Sequence, residues 1–159
     1  MISEKLKIGV DFHGVITSAP SFFRDFNGLA LRRGHEIHVV SGGPYLVERD
    51  FLNSWQIGYT EIFALVDYFA GRGKVTYFNN GNFKVPDELW NRAKAEYCRQ
   101  NNIAIQIDDT AMYGTYFSTP FALYSASEHN CRIGGQIIDF SSSPEQSLNA
   151  VEAYLRQKI

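Results

Sequence analysis

The chain has 159 residues, of which 45% are hydrophobic and 14% aromatic, enough for one compact domain with a real core and too apolar for a disordered segment. A net charge of -2 and a pI near 6.1 give no electrostatic reason to expect a nucleic-acid backbone or an anionic membrane surface as partner. The longest apolar run, IFALV at 62–66, falls far short of the roughly 20 residues of a membrane span.

Apolar-periodic segments alternate between two kinds along the chain. LKIGVDF (6–12) is a run of β-branched and apolar residues and predicts a buried strand. SAPSFFRDFNGLALRRG (18–34) spaces Phe22, Phe23, Phe26, Leu29 and Leu31 along one helix face, with Pro20 near its start and Gly34 at its end. HEIHVVS (35–41) predicts a second strand, in which His35 and His38 point to opposite faces. PYLVERDFLNSWQIG (44–58) predicts a second helix, and EIFAL (61–65) a third strand. Residues 66–84 carry no regular pattern until VTYFNNGNFKV, where NNGN at 79–82 marks the turn of a small hairpin.

PDELWNRAKAEYCRQNN (86–102) has the clearest helical period, and IAIQIDD (103–109) is a strand ending in two acids. PFALYSA (120–126) and QIIDF (136–140) are short strand candidates. SPEQSLNAVEAYLRQKI (143–159) predicts a closing helix with Ser143 as its N-cap. Strands alternating with helices imply βαβ units and a mainly parallel sheet covered on both faces. No repeat, linker or low-complexity tract divides the chain, so a single domain over 1–159 is expected, with room for a small lid or hairpin within 59–86. The opening MISEKLKIGV mixes acid with base, and Cys98 and Cys131 lack metal-type spacing. A cytoplasmic protein without a secretory signal is therefore expected.

In such a sheet, ligands bind beyond the carboxyl ends of the strands. Those ends carry Asp11-Phe12-His13-Gly14, Ser41-Gly42-Gly43 and Asp108-Asp109-Thr110. Taken singly, each is an ordinary turn signal. Taken together, they bring three carboxylates, a hydroxyl and a histidine to one rim. Clustered carboxylates repel one another unless a cation sits between them, and a hard divalent ion with oxygen ligands, Mg²⁺ most naturally, answers that need. On the 86–102 helix, Lys94 falls within the apolar stripe of Leu89, Trp90, Ala93, Tyr97 and Cys98. A lysine there wants an anion partner.

Four motifs, in order over about residues 6–126, make the chain resemble the haloacid-dehalogenase-like (HAD) hydrolase superfamily, whose members are mostly Mg²⁺-dependent phosphatases. Asp11-Phe12-His13-Gly14-Val15-Ile16-Thr17 is similar to the pattern D-x-D-G-x-x-T; HVVSGG, a lysine and IQIDD supply the other three. The resemblance implies a Rossmann-like three-layer αβα sandwich, minimally capped. It implies Asp11 as the nucleophile that forms an aspartyl-phosphate, and Ser41, Gly42 and Gly43 as donors to the phosphoryl group. It implies Asp11, the His13 backbone carbonyl and Asp109 as direct Mg²⁺ ligands, with Asp108 acting through water or behind them. The motif lysine is Lys94 or Lys84; the stripe favours Lys94, and Lys84 stands just before the helix.

His13 departs from the pattern, which has a second aspartate there. Its carbonyl keeps the metal role, and an imidazole with a pKa of about 6.5 is capable of the proton transfers. The expected activity is hydrolysis of a phosphorylated small molecule, in the manner of a phosphatase or nucleotidase. The alternative is a catalytically weak HAD-like module that binds phosphate or regulates. A dinucleotide-binding oxidoreductase fits poorly, because no G-x-G-x-x-G follows the first strand. The aromatic stretch 59–86 either holds a minimal lid whose rings stack on a base or sugar or packs as core over an open site that admits a larger phosphoester, and TAMYGTYFSTPF (110–121) is expected to form part of the site's wall.

Overall fold

In the computed structural model residues 4–157 are described. β1 (Lys7–Val10) leads through a short 3-10 turn into α1 (Pro20–Arg32), followed by β2 (Glu36–Ser41), α2 (Tyr45–Ser54) and β3 (Glu61–Ala64). α3 (Leu65–Ala70) precedes a hairpin of β4 (Thr76–Tyr77) and β5 (Phe83–Lys84). α4 (Asp87–Gln100), β6 (Ile105–Asp108) and α5 (Ala111–Gly114) come next. β7 (Phe121–Ser125), β8 (Asn130–Ile133), β9 (Gln136–Asp139) and α6 (Pro144–Arg156) complete the described chain.

Seven strands form one sheet in the order β3-β2-β1-β6-β7-β8-β9. The first five are parallel to one another, and β8 and β9 are antiparallel additions at one end. The fold is thus mixed α/β with a mostly parallel central sheet, Rossmann-like in its general plan. The larger core packs α1 and α6 against the sheet, with Phe23, Phe26, Leu148 and Val151 meeting Ile8, Val10, Ile37 and Ile107. A smaller core on the other face joins Leu65, Phe69, Val85 and Ala93. Alternation along β2 separates the two: Ile37 and Val39 enter the larger core, while His38 turns to Tyr97 on α4. No helix among the described residues is long and apolar enough to cross a membrane.

Two local expectations need correction, and two short elements, α5 and β8, go beyond them. Residues 66–84 are not irregular throughout, because Leu65, Val66 and Phe69 form the buried face of α3 directly after β3. No turn signal separates the two elements, so the apolar run reads as strand alone. The first helix begins at Pro20, with the 3-10 turn Ile16–Ser18 ahead of it. α5, within the expected wall segment, is a single turn. β8 was not expected, although Gly134-Gly135 between it and β9 is a two-residue hairpin turn. The expected hairpin and the Ser143 cap are present, the latter accepting from the Gln146 N–H at 3.1 Å. The expected end of the closing helix at 158–159 lies outside the described residues.

Candidate active site

The strand order reverses direction between β1 and β6, where an open α/β sheet parts its loops and leaves a crevice. Asp11 stands at that point. Its N–H donates to the Ile107 carbonyl at 2.8 Å, which carries the β1–β6 pairing one residue further and sets Asp11 beside Asp108. Asp11 is only 4% exposed. Its Oδ1 accepts from the Phe12 N–H at 2.8 Å and from Lys94 Nζ at 3.1 Å. Oδ2 receives no hydrogen bond among the described residues.

Lys94 is buried and reaches the cluster from the inner face of α4. Its ammonium also donates to Asp108 Oδ2 at 2.7 Å. Asp108 is held further by Gln106 Nε2 at 3.2 Å and by the Thr110 N–H, on Oδ1, at 3.1 Å. Asp109 is exposed and leans over Gly14. Gly14 has φ +82°, and a Cβ there would stand 2.0 Å from Asp109 Oδ2, so only glycine admits this approach. One oxygen each of Asp11, Asp108 and Asp109 lies within 4.8 Å of the others. These three carboxylates are the residues that could hold a metal ion, and the Lys94 ammonium already bonds two of them, Asp11 and Asp108.

Burial dominates the electrostatics. It pushes the Asp11 carboxyl from its ordinary 3.8 up to about 8; Lys94 opposes the rise and Asp108 and Asp109 add to it. Burial also works to lower the Lys94 ammonium, but Asp11 and Asp108 outweigh it, and its pKa lies above the usual lysine range.

The structure separates the two lysine candidates. Lys94 joins the acids, whereas Lys84 ends the exposed hairpin and pairs with Asp87. It is therefore not brought to the cluster. Ser41 also differs from expectation: its hydroxyl donates to Glu48 Oε2 at 2.8 Å, and the Gly43 N–H donates to the same oxygen at 2.8 Å. Both groups are thus held by a protein carboxyl rather than turned to open space. Gly42 lies under the Trp90 ring. The His13 side chain is exposed, with Nε2 3.3 Å from the Gly43 carbonyl oxygen and 3.7 Å from Glu48 Oε2.

Sequence reasoning missed Glu48. It is fully buried, its Oε1 has no partner among the described residues, and burial raises its carboxyl while the bonds from Ser41 and Gly43 pull it down. The signal was present: Glu48 precedes Leu52 by one turn on the inner face of α2, as Lys94 follows Trp90 on α4. The aromatic wall was also only partly foreseen. Tyr113 places its ring 4.9 Å from Lys94 Nζ and its hydroxyl 2.9 Å from Trp90 Nε1, and Phe83 of the hairpin packs 5.9 Å from Trp90. These rings connect the hairpin to the acidic cluster.

No family model matches the chain, and none of the curated proteins compared with it matches. Among solved structures it is similar to a glycosyltransferase from Rickettsia africae ESF-5, at 16% identity and a TM-score of 0.44. That similarity covers 77% of this chain and 31% of the glycosyltransferase, so the chain spans about a third of that protein's length.

Proposed function

We propose that the protein is a divalent-metal-dependent phosphohydrolase of the HAD type, acting on a phosphorylated small molecule through Asp11. The observation that carries this reading is the buried Asp11–Lys94–Asp108 cluster, with Asp109 beside it, at the switch point of the sheet. The motif order seen in the sequence supports the same reading.

Lys94 and the Phe12 N–H hold Oδ1 of Asp11, which leaves Oδ2 as the attacking atom. Oδ2 forms a bond to phosphorus as the bond from phosphorus to the leaving oxygen breaks. His13 supplies a proton to that oxygen and later takes one from water, which attacks the aspartyl-phosphate and releases inorganic phosphate. Asp11, Asp109 and the His13 carbonyl would hold Mg²⁺, with Asp108 behind them, and the ion would neutralise charge on the transferring group. Trp90 and Tyr113 bound the side from which the substrate's organic part enters. The test is hydrolysis of p-nitrophenyl phosphate with and without Mg²⁺. Turnover requires the ion and falls to background in Asp11→Asn; turnover that survives this change sinks the reading.

One observation favours a second reading, a phosphate-binding module with little turnover. Two donors that the resemblance assigns to the phosphoryl group are already engaged by Glu48, and His13 replaces the usual acid. That reading expects Mg²⁺-dependent binding of phosphate esters without turnover, and a gain of turnover in His13→Asp.

A further inference from the structure

A cavity of about 440 Å³ opens between α3 and α4, over the edge strand β3. Its size falls in the range of ~300–1,000 Å³ typical of small-molecule sites. None of Asp11, Asp108, Asp109 and Lys94 lines it.

Its inner wall is aromatic and held in place. Phe63 and Tyr97 stack with ring centroids 4.2 Å apart and planes 17° from parallel. The Tyr97 hydroxyl lies 2.8 Å from His38 Nδ1, and His38 Nε2 donates to Glu36 Oε1 at 2.8 Å. This chain of polar contacts ties the ring to β2, so the wall does not have to reorganise to receive a ligand. Burial pushes the Tyr97 hydroxyl up to about 12, which keeps it a neutral phenol.

The rim is cationic. Arg72 and Lys74 both line the opening, and neither has a carboxylate partner among the described residues. The Arg72 guanidinium carbon lies over the Tyr68 ring, 3.7 Å from its centroid, and Nη1 donates to the Tyr68 carbonyl at 3.4 Å, two contacts that tether its charge to α3. Glu96 is the single acid of the lining, so the charge of the rim is net positive.

We propose that this cavity is a second binding site, for a planar aromatic ring that carries an anionic group. The ring lies against Phe63 and Tyr97, and the anion meets Arg72 and Lys74. The inference does not depend on the phosphohydrolase reading.

The test is calorimetric titration with 1-naphthalenesulfonate and with the neutral 1-naphthalenemethanol. Wild type, the double variant Arg72→Glu/Lys74→Glu and Asp11→Asn are compared, with melting curves for each. The sulfonate is expected to saturate one site on wild type and on Asp11→Asn alike. The neutral ring, and the charge-reversed variant with the sulfonate, are expected to bind about tenfold more weakly or worse. Both reversed side chains are exposed, so the variant keeps the wild-type fold. Equal binding of the charged and neutral rings, or unchanged binding to the reversed variant, overturns the anion assignment and marks an apolar docking face instead. Loss of binding in Asp11→Asn places the probe at the strand ends and overturns the second site, as does the absence of saturation on wild type.

Discussion

Lys94 Nζ stands between two buried acids, 3.1 Å from Asp11 Oδ1 and 2.7 Å from Asp108 Oδ2. The three groups satisfy one another only as a set. An ammonium on the inner face of a helix has no water to turn to, and neither acid has another cation beside it among the described residues.

Lys94→Met keeps the apolar stem and removes the charge. It should destabilise the fold by about 3–5 kcal/mol at pH 7, the usual cost of removing one partner from a buried ion pair. Urea unfolding measures this, and an unchanged midpoint would contradict it.

Asp11 makes a pH prediction of definite sign. Its folded-state pKa of about 8 lies above the ordinary 3.8, so ionising it costs the folded state more than the unfolded one. Its contribution to stability is therefore present in acid and is lost as pH rises through that window. Asn is a neutral isostere and escapes the loss. In the presence of a chelator, the melting temperature of Asp11→Asn minus that of wild type should climb between pH 5 and pH 9. A flat difference refutes the assignment. Added Mg²⁺ at pH 8 should stabilise wild type more than the variant.

Glu48 anchors the loop after β2 by accepting from both Ser41 and Gly43. Glu48→Gln keeps a carbonyl acceptor of the same size and should be mild. Glu48→Ala leaves a buried hydroxyl and a backbone N–H unpaired and should cost about 1–3 kcal/mol, with a further loss for the cavity left behind. Denaturant midpoints for the pair test this; equal effects would show that the acceptor contributes nothing.

Gly14→Ala sets a Cβ against Asp109 in a left-handed backbone conformation. Strain of about 1–2 kcal/mol is expected from the backbone alone. The Asp109 carboxylate must also move aside. If it ligates the ion, Mg²⁺ affinity read from the thermal shift should fall while the fold remains. Unchanged affinity would remove Asp109 from the ligand set.

The alternation of strands and helices apart from α3, α5 and β8, the Ser143 cap, the turn at Asn79–Asn82 and the acids at the strand ends are legible in the chain, because each depends on neighbours in sequence. Periodic burial also singled out Lys94, since an ammonium in an apolar stripe is an anomaly wherever the helix packs. Tertiary contact decided the rest. It chose Lys94 over Lys84, because one faces the sheet and the other ends an exposed hairpin. It turned Ser41 towards Glu48, whose own burial depends on how α2 lies on the sheet. The α3–α4 cavity and its Tyr97–His38–Glu36 chain join residues from four elements, β2, β3, α3 and α4, that no local pattern relates. Local periodicity reports which face of an element is apolar; which group finally meets a buried charge or an aromatic ring is fixed only when the elements pack.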